Sequence, residues 1–350
     1  MVTIKEKIGQ MFIVRMHGKV VTKELENLIK NYHIGGISLY SKNYDSYDEM
    51  LSLINNLKRI NSKYNKIPLF ISVDQEGGRV NRLPKEFTNT PSPKKLSVNK
   101  KYVEEAGNII GGMLYNLGIN MNFAPVFDIQ RYEDNHPIGD RCFGNTKEKV
   151  SENGIIMMNS LKKYVIPVVK HFPGHGLVKR DSHLFLPVVK DDVIKTDDIY
   201  PFVEAINNKC EAIMVGHLML RKIDKFYPAS LSKKVIKGLL IDKLKYNGLV
   251  ITDDLKMKAV SILYGYKRSC LKAINAGNNL VLIGSEYNVI SECINYINKK
   301  MDKSLREDIN NSYEKIINIK QKYKINDNEK KKINIDSYNE KVERLNKLVN

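Results

Sequence analysis

The fourteen residues from Lys170 to His183, KHFPGHGLVKRDSH, hold three histidines, two glycines, a proline and an aspartate. They follow a short apolar run, so these acid–base groups gather where a strand should end. Asp181 and His183 stand two apart, and a loop can hold their carboxylate and imidazole in contact. The carboxylate then favours the charged imidazole and raises its pKa, which suits the pair to proton transfer. Gly174 and Gly176 permit sharp turns and close ligand approach. Two blander readings compete. His171 and His175 are four apart, a zinc-ligand spacing on a helix, but Pro173 and the two glycines disfavour a helix there. His175 taken alone, between glycines, fits a structural histidine.

Other polar residues close apolar runs in the same way. VDQEGGRVNRL (73–83) brings Asp74, Arg79 and Arg82, and FAPVFD (123–128) leads into IGDRCFG (138–144) with Arg141. VGHLM brings His217, and ITDDLKM (251–257) brings Asp253 and Asp254. One aspartate such as Asp74 can merely cap a turn. Five polar run-ends in one chain point instead to a shared site.

The elements that must position these groups are legible. Apolar runs fall at 11–16, 34–40, 68–74, 119–127, 164–170, 211–219, 248–253 and 279–284. They are continuous rather than alternating, the mark of parallel strands covered on both faces. Helical patterns lie between them. Residues 101–117 place Val103, Ala106, Ile110, Met113 and Leu117 on one face, stopped by Gly118. Ser232 can cap a helix whose buried stripe is Val235, Ile236, Leu239, Leu240 and Leu244. Eight strands with intervening helices predict an α/β fold, a TIM-type (β/α)8 barrel with its site at the C-terminal strand ends. The barrel is expected to be one catalytic domain over 1–302. Residues 303–350 form a C-terminal extension: a long charged helix at 303–323, a linker at 326–332, then a short helix or a frayed tail.

Composition narrows the function classes. The 350 residues carry a formal charge of +18 from 57 basic and 39 acidic side chains, which invites a nucleic-acid or membrane reading. Of the basic residues 46 are lysines scattered along the chain and 11 are arginines. Four arginines (Arg79, Arg82, Arg141, Arg180) lie in or beside the suspected site, where planar polar recognition is needed. No nucleic-acid partner is therefore expected. Cys142, Cys210, Cys270 and Cys293 form no close pair or metal spacing, which favours a reducing compartment. No secretion signal and no apolar run of about 20 residues is present, so a cytoplasmic, non-membrane protein is expected.

KHFPGHG followed by DSH resembles the signature of family 3 glycoside hydrolases, specifically the bacterial β-N-acetylglucosaminidases of cell-wall recycling. The resemblance runs from about residue 5 to about residue 285 and extends to the stretch from His217 to Ser232. It implies a retaining, exo-acting enzyme that removes terminal GlcNAc from peptidoglycan-derived fragments such as muropeptides. The implied roles are Asp253 as nucleophile and His183 as acid/base oriented by Asp181. Asp74, Arg82, Arg141, Lys170 and His171 are implied to hold the sugar. This departs from the usual pair of carboxylates, because a histidine does the acid/base work. Its Gly-rich loop is expected to be open in the free enzyme and to swing in when substrate binds. No metal and no organic cofactor is implied, and a monomer is expected. Asn279 stands where the family usually has Asp and is expected to be structural. The second α/β domain of larger relatives is not expected, and the barrel is expected to build the whole site. Alternatives are a β-glucosidase or β-xylosidase of the same family, a phosphorolytic member, and a non-catalytic sugar-binding protein on the same fold.

Overall fold

A computed structural model describes residues 2–132, 138–178, 187–189, 192–193 and 196–349. The eight apolar runs become eight strands: β1 Phe12–Arg15, β2 Gly36–Ser38, β3 Phe70–Val73, β4 Met121–Asn122, β5 Ile166–Phe172, β6 Ala212–Val215, β7 Leu249–Thr252 and β8 Val281–Ile283. They are hydrogen-bonded in the order β8-β1-β2-β3-β4-β5-β6-β7, all parallel. A parallel bridge from Ile251 to Leu280 brings β7 against the entry of β8. Leu280 N donates to Val250 O at 3.0 Å and Thr252 N to Leu280 O at 3.1 Å, so the sheet nearly closes on itself. Helices cover its outside, giving the TIM-type (β/α)8 barrel. Apart from Arg15, every strand residue of the barrel is buried, as continuous apolar runs require.

Two runs give shorter strands than their length suggests. The run 119–127 keeps only Met121–Asn122 as β4, because Pro125 has no N–H for the ladder. The run 211–219 divides into β6 and a separate pair, Met219–Leu220, which joins Val188–Val189 in a small parallel sheet beside the barrel.

The helices begin and end where local chemistry dictates. Asn99 accepts from Lys101 N at 3.0 Å to start the Lys100–Leu117 helix, and Gly118 ends it at φ 86°. Its predicted stripe, from Val103 to Leu117, is buried. Ser232 Oγ accepts from Val235 N at 3.3 Å, as a cap should. The helix that follows, Lys234–Lys243, is wound with π-type bonds rather than the expected α pattern. Asn279 Oδ1 accepts from Val250 N at 2.9 Å and its Nδ2 donates to Ser312 Oγ at 3.1 Å, so its side chain ties strand to outer helix.

The N-terminal mouth of the barrel is shut by one lysine. The Lys303–Lys322 helix packs against Ile4–Gln10 and delivers Lys320, which is 3% exposed. Its Nζ donates to Gln10 Oε1 (2.9 Å), Gly35 O (3.0 Å) and Pro68 O (2.7 Å), groups just ahead of β1, β2 and β3. It also lies 4.4 Å over the Phe70 ring. The extension then continues beyond a linker into a helix, Asp336–Val349, with Val342 and Leu345 fully buried. The frayed-tail alternative for residues 333–350 is thus replaced by a docked helix. Among the described residues no helix is long and apolar enough to cross a membrane.

Candidate active site

At the C-terminal mouth the strands leave a cavity of about 450 Å³, within the usual range for small-molecule sites. Asp74, Arg82, Arg141, Lys170, His171 and Asp253 all line it. These six residues, spread over nearly two hundred positions of sequence, are brought together by the ends of β3, β5 and β7 and the loop after β4. Asp181 and His183 lie outside the described residues. His217, at the end of β6, does not line the cavity. It is fully buried, with Nε2 3.1 Å from Asp254 O and Nδ1 2.7 Å from Ser230 Oγ. A carbonyl only accepts, so Nε2 carries the proton and Nδ1 accepts from the serine hydroxyl. His217 therefore links the Asp253–Asp254 turn to the Ser230 segment.

The floor is an ion network that the sequence reading did not assign. Glu76, 3% exposed, accepts from Arg141 Nε (2.8 Å, Oε2) and Nη2 (2.7 Å, Oε1), a two-pronged pairing. Lys170 Nζ, 2% exposed, sits 2.6 Å from Glu76 Oε1 and 2.7 Å from Asp74 Oδ1. Burial alone would raise the Glu76 carboxyl. The Arg141 and Lys170 charges outweigh it and hold the group well below the carboxylate range. Lys170 and His171 are consecutive yet both face the cavity, although side chains normally alternate along a strand. The β5 register shifts between Val169 and Phe172, and this irregularity admits both.

Behind His171 lies Asp128, fully buried. Its Oδ2 is 2.7 Å from His171 Nδ1, and its Oδ1 accepts from His175 N at 2.7 Å. Burial works to raise this carboxyl, but the His171 charge and hydrogen bond prevail and lower it. The carboxylate fixes the proton on Nδ1 and turns Nε2 to the cavity side. The His171 and His175 rings are edge to face at 5.8 Å. Among the described residues no group of three or more His, Cys, Asp or Glu is placed to hold a metal.

Asp253 leaves β7 with its N–H on Val215 O (3.0 Å), and its Oδ1 accepts from Asp254 N at 2.7 Å. Asp254 turns away from it. Its Oδ1 accepts from Lys256 N (2.9 Å) and Gly284 N (2.8 Å), and burial raises its pKa. A Cβ at Gly284 would lie 2.7 Å from Asp254 Oδ2 and 3.0 Å from Arg15 Cδ, so glycine is needed for this approach. The two aspartates thus differ. Both line the cavity, but Asp254 Oδ1 is taken up by the backbone N–H groups of Lys256 and Gly284.

The chain matches the Glycosyl hydrolase family 3 N terminal domain over residues 3–319. It belongs to glycosyl hydrolase family 3. Relatives in this family include the Beta-hexosaminidase of Methylobacillus flagellatus, 32% identical over 277 residues, which cover 76% of this chain and 78% of that protein. The Beta-hexosaminidase of Haemophilus influenzae is also 32% identical, with 78% and 79% covered. Among solved structures, a family 3 beta-N-acetylglucosaminidase from Paenibacillus sp. str. FPU-7 superposes with a TM-score of 0.90 at 32% identity. The match covers 99% of this chain and 68% of that one. The beta-N-acetylglucosaminidase from Thermotoga maritima gives 0.78 at 26% identity, with 91% and 68% covered. The chain is therefore a glycoside hydrolase.

Besides Glu76 and Asp128, the sequence reading missed Arg15 and Tyr40 in this cavity. Arg15 ends β1 and lines the cavity with its guanidinium 4.0 Å from the Tyr40 ring centre. Arg82 approaches the same ring at 5.6 Å. The Nε atoms of both arginines are buried without an acceptor among the described residues. A polar residue closing an apolar run was the available signal for Arg15.

Proposed function

We propose that this glycoside hydrolase is a β-N-acetylhexosaminidase, and specifically a retaining, exo-acting β-N-acetylglucosaminidase that removes terminal non-reducing GlcNAc from peptidoglycan-derived fragments. The observation that carries the proposal is the single cavity in which Asp253 at the end of β7 faces Asp74, Arg82, Arg141, Lys170 and His171. The named relatives are beta-hexosaminidases and beta-N-acetylglucosaminidases, which supports GlcNAc as the sugar.

In the proposed mechanism the ion-paired Asp74 and Lys170, with Arg82, Arg141 and His171, hold the hydroxyl and N-acetyl groups, so that C1 lies beside Asp253. The Asp253 carboxylate forms a bond to C1 as the glycosidic C–O bond breaks. His183, charged and oriented by Asp181, gives its proton to the departing oxygen. It then takes a proton from water, which attacks C1 and releases Asp253. The assignments of His183 and Asp181 rest on the DSH motif.

The test is hydrolysis of aryl β-N-acetylglucosaminides and of GlcNAc-containing disaccharides. Asp253→Ala is expected to lower kcat by about three orders of magnitude or more, ~4 kcal/mol of barrier, with unchanged melting. His183→Ala should cost much less on activated aryl glycosides than on disaccharides, because a good leaving group needs no acid. Near-normal turnover by the Asp253 variant, or equal losses on both substrates for the His183 variant, would refute the respective role.

A further inference from the structure

The family domain ends at residue 319, yet the chain continues in an ordered path that returns to the site. That path can be followed bond by bond. Asp327 accepts from Asn61 Nδ2 (2.6 Å) and Leu69 N (3.3 Å) near the N-terminal end of the barrel. Asn55 then exchanges two hydrogen bonds with the Lys330 backbone, at 2.9 and 2.8 Å. Ile333 N donates to Tyr47 Oη at 2.7 Å. Asn61, Asn55 and Tyr47 lie in descending order along the Tyr47–Tyr64 helix. Such a helix runs antiparallel to the strands it covers. The extension therefore climbs from the Lys320 end of the barrel to the catalytic end.

There the Asp336–Val349 helix meets the segment that follows the β3 loop. Asn339 brackets it: Thr88 N donates to Asn339 Oδ1 and Asn339 Nδ2 donates to Glu86 O, both at 2.8 Å. Asn346 Nδ2 donates to Asn89 O at 3.2 Å. The bracketed segment in turn clasps two glycines. Gly78 N donates to Thr90 O (2.8 Å) and Asn89 Nδ2 to Gly78 O (2.6 Å). Gly77 and Gly78 have φ of +93° and +56°, and a Cβ on either would lie 2.6 Å from Pro91 O or Ser92 Cβ. These glycines separate Glu76 from Arg79 and Arg82, all of which line the cavity.

We propose that the C-terminal extension is a positioning strap for the Asp74–Arg82 loop, with Asn339 as its positioning residue. Substrate affinity then depends on a side chain that never touches the sugar. The kinetic consequence rests on the GlcNAc reading above, whereas the mechanical one does not. Loss of the bracket frees the backbone of 86–90, loosens the glycine pair, and lets Arg82 wander. Each arrangement without Arg82 in place is one that cannot bind.

Asn339→Ala in the full chain tests this, with Asn339→Asp beside it. The aspartate keeps the acceptor for Thr88 N and loses the donor to Glu86 O, so it guards against a variant that fails to fold. Lys332→Ala is the control, since Lys332, on the same extension, pairs with exposed Asp48 of the Tyr47–Tyr64 helix. For Asn339→Ala, KM on an aryl β-N-acetylglucosaminide should rise roughly five- to tenfold with kcat within about twofold. Asn339→Asp should fall between this and wild type, and Lys332→Ala should match wild type. Amide exchange of Gly78 and Thr88 should quicken about tenfold or more in Asn339→Ala and by less in Asn339→Asp, which keeps the Thr88 acceptor, with the barrel strands unchanged. Unchanged KM with a lower Tm would overturn the proposal by making Asn339 merely structural. Unchanged exchange at Gly78 would overturn it whatever the kinetics. If wild-type protein hydrolyses no aryl GlcNAc, the functional proposal fails, and the exchange measurement alone decides the strap.

Discussion

Glu76→Gln is the most informative single change, because it alters one charge in a buried network of Glu76, Arg141, Lys170 and Asp74. Arg141 and Lys170 contribute two positive charges, Asp74 and Glu76 two negative, so the group is neutral. The amide keeps size and removes one negative charge. It leaves Lys170, 2% exposed, and Arg141 without the carboxylate that pairs them both. Breaking such a pair from one side costs about 3–5 kcal/mol, since the remaining charge stays buried. For 350 residues an unfolding entropy of about 2.1 cal/mol/K per residue gives ~0.7 kcal/mol/K, so Tm should fall by about 4–7 °C. Lys170 and Arg141 also lose their fixed geometry, and kcat/KM should fall by about 10². The pH dependence supplies a second check. The Glu76 carboxyl is held below its ordinary value of 4.5, so the folded state binds fewer protons than the unfolded chain. Its stabilisation is complete above that value and is lost as pH falls below it. The gap in Tm between wild type and Glu76→Gln should therefore be full at about pH 7 and shrink progressively on acidification below about pH 4.5. Calorimetry across that range, with aryl-glycoside kinetics at neutral pH, reads both effects. A Tm shift under about 1 °C, or a gap that does not change with pH, would refute the assignment of Glu76 as the charge anchor.

Two further outcomes follow from the opposite mouth and from β1. Lys320→Met should cost about 3 kcal/mol or more by stranding three buried acceptors. Burial pushes the Lys320 ammonium down to about 7 from 10.5, so the unfolded chain binds more protons in that window. Wild-type stability relative to the Met variant should thus rise between those pH values in chemical denaturation; a constant difference would count against a titrating Lys320. Arg15→Met should raise KM about tenfold, the worth of one charged hydrogen bond, with Tm within about 2 °C; an unchanged KM would remove Arg15 from the sugar site.

The barrel was legible because parallel strands buried on both faces leave continuous apolar runs, and all eight were found that way. Their lengths were less legible. Hydropathy continues from Ile119 to Phe127, but Pro125 has no N–H to donate to a ladder, and β4 keeps only two residues. Asp74, Arg82, Arg141, Lys170, His171 and Asp253 were located through motifs at strand ends, and the cavity unites them. Glu76 sat inside the same DQEGGRV motif and was passed over. What distinguishes it is its pairing with Arg141 and Lys170, 65 and 94 positions away (141 − 76 and 170 − 76). No local pattern encodes that. The docking of the Asp336–Val349 helix was illegible for a related reason. It buries only Val342 and Leu345, and Asn339 grips backbone rather than side chains, so apolar periodicity carries little of the signal.

The strongly basic composition can be understood on the same terms. A charge of +18 would suggest a polyanion partner if lysines formed a patch. Several of them instead cap backbone carbonyls within this chain. Lys320 holds two at the barrel mouth, Lys58 holds Asn326 O and Asn328 O, and Lys162 holds Lys209 O. An ammonium has three donors and a long stem, and can close a gap between segments where an apolar side chain would leave carbonyls unmet. The arginines of the cavity are likewise engaged within the chain: Arg141 on Glu76, Arg79 on Asp140, Arg15 and Arg82 against Tyr40. Part of the positive charge thus serves internal geometry at both ends of the barrel, and net charge alone is a poor guide to this chain's partner.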